Sequence, residues 1–242
     1  MTTLRTITLA ALAAAAAMAQ MQSNTEKKLD CREGRYGGDR GGRHCEMKEF
    51  PLTAAGRLDI DPGMNGGVSV LGWNQNTILV RAQLQANADS SEEARQMVNE
   101  IQVLTAGGQV KTAGPKMERN RGWAVSFEIF VPHRTSLDVK AFNGGIAIAD
   151  VGGEIRFKTM NGGVALKRLA GRVTGETMNG GVDVVLAGSR WDGDTLDVET
   201  TNGGVKMLVP ENYSARLETA TVNGRISIDF PVTVSGEIRS KL

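Results

Sequence analysis

Leu137-Asp138-Val139-Lys140-Ala141-Phe142-Asn143-Gly144-Gly145-Ile146-Ala147-Ile148 is the stretch that decides how the chain is read. On either side of Asn-Gly-Gly, apolar and polar residues alternate one by one, the period of a strand with one dry face and one wet face. The unit returns at Asn161-Gly162, Asn179-Gly180 and Asn202-Gly203, as the variant Asn223-Gly224-Arg225, and earlier at Asn65-Gly66. From Asn143 onward the turns are 18, 18, 23 and 21 residues apart. Before the later turns the inward series runs Ile155/Phe157/Thr159, Val173/Gly175/Thr177, Leu196/Val198/Thr200 and Leu217/Thr219/Thr221. After the turns it resumes as Val164/Leu166, Val182/Val184, Val205/Met207 and Ile226/Ile228. Glycine suits such a turn because it accepts positive φ, which asparagine also tolerates. Stacked asparagines are placed to hydrogen-bond as a ladder.

Two architectures carry such a repeat. Each Asn-Gly could be a hairpin turn in an antiparallel meander, or each unit one layer of a stack with parallel equivalents. The bends between the asparagine turns are of another kind: Val151-Gly152-Gly153, Leu169-Ala170-Gly171 and the longer segment 188–194. Two unlike corners per unit favour the stack. The expected fold is therefore all-β, a β-solenoid or parallel β-helix-like stack of coils of about 18–23 residues, with one short helix. Pro231, just after the last repeat, is placed to help end the stacking.

The expected organisation is a signal peptide over 1–19, a flexible disulfide-looped segment over 20–46, a first coil with inserted helix and strands over 47–135, and regular repeats over 136–242. In the first half Val68 and Val70 follow the Asn65 turn as inward residues, with Pro62 and Gly63 disturbing the strand before it. Residues 78–84 and 123–131 read as strands, the latter ended by Pro132. Ser90 with Glu93 forms a capping box, and Met97, Val98, Ile101 and Leu104 follow at helical spacing, which predicts a helix near 91–101. Gly107-Gly108 predicts a turn.

These motifs together, the Asn-Gly-Gly-aliphatic turns, the Ser91-Glu92-Glu93-Ala94 helix and Val131-Pro132 leading into Leu137-Asp138-Val139, resemble the bacterial putative-adhesin family of unknown function over roughly residues 50–235. The resemblance implies an extracytoplasmic β-solenoid and brings no catalytic residues with it.

Arg5 followed by an apolar run to residue 19, ending Ala17-Met18-Ala19, reads as an export signal cleaved before Gln20. The run is shorter than the roughly 20 residues a membrane helix needs. No cysteine follows it to carry a lipid anchor, and no later stretch is long and apolar enough to span a membrane. Export places the mature chain in the periplasm or outside the cell. Without 1–19, 27 basic residues face 27 acidic ones. Such a neutral chain lacks the basic footprint of a nucleic-acid binder.

Cys31 and Cys45 bracket a Gly-rich loop and are most simply a disulfide in an oxidising compartment. The sharper reading, a metal held by Cys31, His44 and Cys45, supplies three ligands where structural zinc takes four. Arg32, Arg35, Arg40 and Arg43 in this loop face Glu33 and Asp39, the composition of a solvated segment.

Signatures of chemistry are thin. The two histidines, His44 and His133, accompany neither a Gly-x-Ser-x-Gly elbow nor a His-Glu-x-x-His helix. Glu176, Asp183, Asp197, Glu199 and Lys206 are the acids and base that could line a polysaccharide-cleaving face, though mixed outward charge is also what a solvated sheet carries. Asp192-Gly193-Asp194 offers two acids where calcium takes six to eight oxygens. Met64, Met160 and Met178 precede asparagine turns in a register shared with Phe142, Thr201 and Val222, which predicts packing rather than a soft-metal site. The reading is an exported non-enzymatic protein, adhesin-like or binding at the cell envelope, with no cofactor and no metal. Its partner is an envelope, glycan or protein ligand. The alternatives are a carbohydrate-active enzyme on the same scaffold and a structural protein that self-associates through its open end.

Overall fold

The structure, a computed structural model, describes residues 29–31 and 41–220. The export signal, the loop 32–40, Asn223-Gly224 and Pro231 lie outside the described residues. The elements run β1 (Gly42–Thr53), β2 (Arg57–Asp61), β3 (Val68–Trp73), β4 (Thr77–Ala88), α1 (Ser91–Glu100), β5 (Gln102–Leu104), β6 (Gln109–Ala113) and β7 (Gly122–Pro132). They continue β8 (Ser136–Asn143), β9 (Ile146–Ala149), β10 (Gly152–Asn161), β11 (Val164–Lys167), β12 (Ala170–Asn179), β13 (Val182–Val185), β14 (Thr195–Asn202) and β15 (Val205–Leu208).

These strands make two mixed sheets, which corrects the expected β-solenoid. One sheet has eight strands in the order β1-β4-β7-β3-β9-β11-β13-β15, and the other has seven in the order β14-β12-β10-β8-β2-β6-β5. Antiparallel pairs in both sheets depart from a parallel stack: β1 with β4, β4 with β7, and β5 with β6. The physical reason lies in the first half of the chain. β1 and β4 are 12 residues each and pair over their whole length, from Gly42 opposite Ala88 to Thr53 opposite Thr77. The repeat governs the strands on either side of the Asn65 turn, β2 parallel to β8 and β3 to β9, and the later strands. There β8, β10, β12 and β14 lie parallel in the seven-stranded sheet, and β9, β11, β13 and β15 parallel in the other. Asparagines align in that register, Asn143 with Asn161, Asn161 with Asn179 and Asn179 with Asn202.

The two inner faces share one core. Leu137, Val139, Ile155, Phe157 and Val173 come from the seven-stranded sheet, and Ile146, Ile148, Val164, Leu166, Val182 and Val184 from the eight-stranded one. The period-two reading therefore assigns the faces of these strands correctly. Gly175, an odd member of the inward series, is explained by its neighbour: a Cβ there would lie 2.5 Å from the Phe157 ring. Burial fades at the end of the run, where Leu196, Val198 and Met207 are only half-buried and Val205 is exposed. Residues 215–220, read as the start of a further strand, carry no secondary structure.

Helix α1 starts as its sequence dictates, with the Ser90 hydroxyl accepting from the Glu93 N–H. It buries Ala94, Met97 and Val98 against the core. Leu104, placed on the same stripe by spacing, instead sits on β5 and is 48% exposed, because the helix ends at Glu100. Gly107 and Gly108 both take positive φ, of 68° and 72°, in the turn between β5 and β6.

Cys31 and Cys45 are joined. Cys45 lies within β1, so the segment expected to be flexible up to residue 46 is strand from Gly42 onward. Gln83 on β4 donates to the Asp30 carbonyl, which lays the disulfide segment across β4. Among the described residues no helix is long and apolar enough to cross a membrane.

Candidate functional site

The structure brings the asparagine turns into one row. The side-chain amide of Asn143 donates to Oδ1 of Asn65 at 3.1 Å, Asn161 to Asn143, Asn179 to Asn161 and Asn202 to Asn179, each of these three at 2.8 Å. Asn65 ends the row by donating to the Trp123 carbonyl at 3.4 Å. Every bond points the same way, so each amide is polarised by the next. An amide group carries two N–H donors and two acceptor lone pairs. The ladder uses one of each per interior residue, and Asn143, Asn161 and Asn179 are exposed.

Threonine closes each rung from inside. Oγ1 of Thr159 donates to the Gly144 carbonyl at 2.8 Å, Thr177 to Gly162 at 2.9 Å and Thr200 to Gly180 at 2.7 Å. Thr159 and Thr177 are fully buried. Sequence reading places them on the inward face without this role. The signal was available: threonine replaces the aliphatic residue two places before three consecutive turns. Thr177→Val keeps the shape and removes the bond, so a loss of about 1–2 kcal/mol in urea unfolding is expected. Equal stability would show the bond to be idle.

The first glycine of each turn is needed for a reason other than the one its spacing suggests. Gly66 takes positive φ, at 138°, but Gly144, Gly162, Gly180 and Gly203 do not. What excludes a side chain is the preceding turn. A Cβ on Gly144 would lie 2.0 Å from the Gly66 carbonyl oxygen, on Gly162 2.1 Å from that of Gly144, on Gly180 2.2 Å from that of Gly162, and on Gly203 2.1 Å from that of Gly180.

One place before the asparagines runs a mostly apolar row. Met64 is 55% exposed, Phe142 39% and Met178 46%. They sit one place before the asparagine, on the outer side of the strand, where the inward–outward alternation puts them. Met160 between them is half-buried. On the other side of the amides the second glycines Gly145, Gly163, Gly181 and Gly204 leave the backbone bare and exposed. The edge thus carries three parallel rows, apolar, amide and bare backbone, and none of the three holds a charged residue.

Of the carboxylates considered for a cleavage face, the structure brings three together and leaves Asp183 apart, with Lys206 beside it. Glu176, Asp197 and Glu199 line a shallow depression of about 280 Å³ on the seven-stranded sheet with Arg156 and Lys158. Asp183 and Lys206 stand on the other sheet, opposite each other on β13 and β15. The two cations of the depression pair within the sheet, Lys158 with Glu176 and Arg156 with Glu154. Exposed pairs of this kind add little stability, about 0–1 kcal/mol each. At the other end of the sheet Arg57 bonds Asp59 at 2.8 Å and Asp138 at 3.2 Å. The Asp59 hydrogen bond holds the Arg57 guanidinium above its ordinary pKa.

Asp194, one of the two acids considered for calcium, pairs with Arg172 at 2.8 Å, and the Trp191 indole donates to the Gly171 carbonyl at 2.9 Å. The loop is thereby tied to the corner at Gly171. The disulfide commits both sulfurs of the Cys31, His44 and Cys45 set to each other. His133 bridges a corner, one ring nitrogen 2.7 Å from the Asp150 carbonyl and the other 3.1 Å from Asn74 Oδ1. Asp150 and Arg168 take positive φ, of 59° and 50°, and are joined by two hydrogen bonds of 2.6 Å. Those bonds raise the pKa of Arg168 against the opposing effect of its partial burial. Opposite charges 18 residues apart after two successive strands were the unread signal for this clamp.

No family model matches the chain, and no curated protein matches it. Solved structures similar to it include a "putative cell adhesion protein" from Clostridium sporogenes, 10% identical, with a TM-score of 0.42 over 68% of this chain and 99% of that one. Another is a "putative adhesin" from Bacteroides fragilis, 12% identical, with a TM-score of 0.30 over 68% and 97%. A third is a "putative lipid binding protein" from Parabacteroides distasonis, 8% identical, with a TM-score of 0.22 over 67% and 96%.

Proposed function

We propose that this chain is an exported, non-catalytic binding protein, adhesin-like in role, that holds a cell-envelope partner along its asparagine edge. The observation that carries this is the exposed row Met64, Phe142 and Met178 beside a ladder of half-used amides. Large apolar side chains held outward on a rigid sheet cost solvation and contribute nothing to the core, which is the signature of a contact surface. Methionine adapts to irregular partners, and the strands beneath hold the row in place. The Cys31–Cys45 disulfide supports export, since such bonds persist in oxidising compartments. The charged depression supports a solvated face better than a cleavage site, because its lysine and arginine are already paired with neighbouring carboxylates.

The test is co-sedimentation of the purified chain with envelope preparations and insoluble cell-wall polymers, alongside Phe142→Ser/Met178→Ser. Both side chains are exposed, so the double variant is expected to unfold at an unchanged temperature. The wild type is expected to pellet saturably with an envelope fraction and the double variant to lose most of that binding. Equal binding by both proteins would move the contact away from this edge, and release of soluble fragments would restore the enzyme reading.

A further inference from the structure

We infer that the asparagine row is a string of self-modification sites whose deamidation the ladder holds back, and that conversion of one rung hastens conversion of its neighbours. Each turn of the row, at Asn65, Asn143, Asn161, Asn179 and Asn202, is an asparagine followed by a glycine. In that dipeptide the glycine backbone nitrogen can attack the asparagine Cγ. Ammonia leaves and a cyclic imide forms, which water then opens at either carbonyl to give aspartate or isoaspartate. Glycine hinders the attack least, because no side chain stands beside its nitrogen. The fold allows no slower neighbour. A Cβ on Gly144, Gly162, Gly180 or Gly203 would lie 2.0 Å, 2.1 Å, 2.2 Å or 2.1 Å from the carbonyl oxygen of the preceding turn.

The same stacking arrests the reaction. The nitrogen must lose its proton and reach Cγ, and the asparagine side chain must swing toward it. At Asn161 the amide donates to Asn143 and its oxygen accepts from Asn179, both at 2.8 Å, while the Gly162 N–H donates to the Asn179 carbonyl at 3.1 Å. Asn179 is held likewise, donating to Asn161 and accepting from Asn202, with the Gly180 N–H on the Asn202 carbonyl at 3.1 Å. At Asn65 the Gly66 N–H donates to the Asn143 carbonyl at 3.2 Å, and the side chain is held between Asn143 and the Trp123 carbonyl. Burial does not supply this protection, since Asn143, Asn161, Asn179 and Asn202 are exposed. Cyclisation therefore waits on local opening of a rung.

One conversion undoes part of the hold on the next. An ionised carboxylate only accepts hydrogen bonds. Formed at position 161, it cannot donate to the Asn143 oxygen and sets a negative oxygen against it. Isoaspartate also adds a methylene to the main chain, which carries the Gly162 N–H away from the Asn179 carbonyl. Asn143 and Asn179 each lose a restraint, and the bonds that remain are no longer polarised along an unbroken row.

The experiment is incubation of the full chain at mildly alkaline pH, folded and in urea, with conversion at each asparagine followed by peptide mass spectrometry. Asn65, Asn161 and Asn179 are expected to convert about tenfold or more slower in the folded chain, because the chemistry waits on opening. In folded Asn161→Asp, Asn143 and Asn179 are expected to convert faster than in the wild type, while Asn65, two rungs away, keeps its wild-type rate. Equal rates in the folded and unfolded chains would overturn the inference. So would unchanged rates at Asn143 and Asn179 in the variant. Acceleration at Asn65 as large as at Asn143 would mark general loosening of the fold and would overturn the claim that protection passes from rung to rung.

Discussion

Gly162→Ala is expected to destabilise the protein by about 2–3 kcal/mol, and Gly163→Ala, one residue on, to leave it unchanged or up to about 1 kcal/mol more stable. The contrast isolates the packing of turn on turn. A methyl group on Gly162 would lie 2.1 Å from the Gly144 carbonyl oxygen, which is backbone and can yield only by parting the strands. A methyl on Gly163 would stand 3.6 Å from the Gly181 oxygen, an ordinary contact. Neither glycine has the left-handed φ that would penalise alanine by itself. The entropy lost by the unfolded chain then works in favour of Gly163→Ala and is overwhelmed in Gly162→Ala. Urea unfolding of the two variants with the wild type measures the difference. Equal effects would mean the turns are not stacked as closely as the ladder requires.

Removing the disulfide is the second large perturbation. Cys31 and Cys45 are 14 residues apart and fix the segment before the loop across β4, where Gln83 takes the Asp30 carbonyl. Closing a loop of this size is worth about 3 kcal/mol in the chain-entropy model. Cys31→Ser/Cys45→Ser is expected to lose about that much, and reductant is expected to bring the wild type to the same midpoint while leaving the variant unmoved. Cys45 lies on β1, the edge strand of the eight-stranded sheet furthest from β9, β11, β13 and β15, so the reduced protein should remain folded at room temperature. A variant as stable as the oxidised wild type would mean that the loop is already constrained without its bond.

The reading of the chain succeeded where a residue's neighbours in sequence are its neighbours in space. Alternation around Asn143, Asn161 and Asn179 assigns inward and outward faces, because a strand's side chains change sides at every step. The Ser90–Glu93 cap marks the helix start for the same local reason. The topology was less legible. An 18-residue repeat says which strands are equivalent, but says nothing of Gly42–Thr53, whose partner Thr77–Ala88 is found only by length and by a long-range antiparallel register. The expectation of a parallel stack extended the rule of the repeat to strands that do not obey it. The site was half legible. The asparagines stand out in sequence, and alternation puts Phe142 and Met178 on the outer side, but it does not tell whether a neighbouring segment covers them there. The role of Gly162 was hidden for a related reason: spacing reveals that a glycine recurs, while the oxygen that forbids a side chain belongs to another turn.

The claim at the centre, that the asparagine edge is the contact surface, is tested most directly by hydrogen exchange with mass spectrometry on the chain alone and bound to its envelope fraction. The expected result is slowed exchange in peptides covering 142–145, 160–163 and 178–181, with the outer faces carrying Lys158 and Trp73 unchanged. Protection centred on either of those faces, with the asparagine turns exchanging as freely as before, would contradict it.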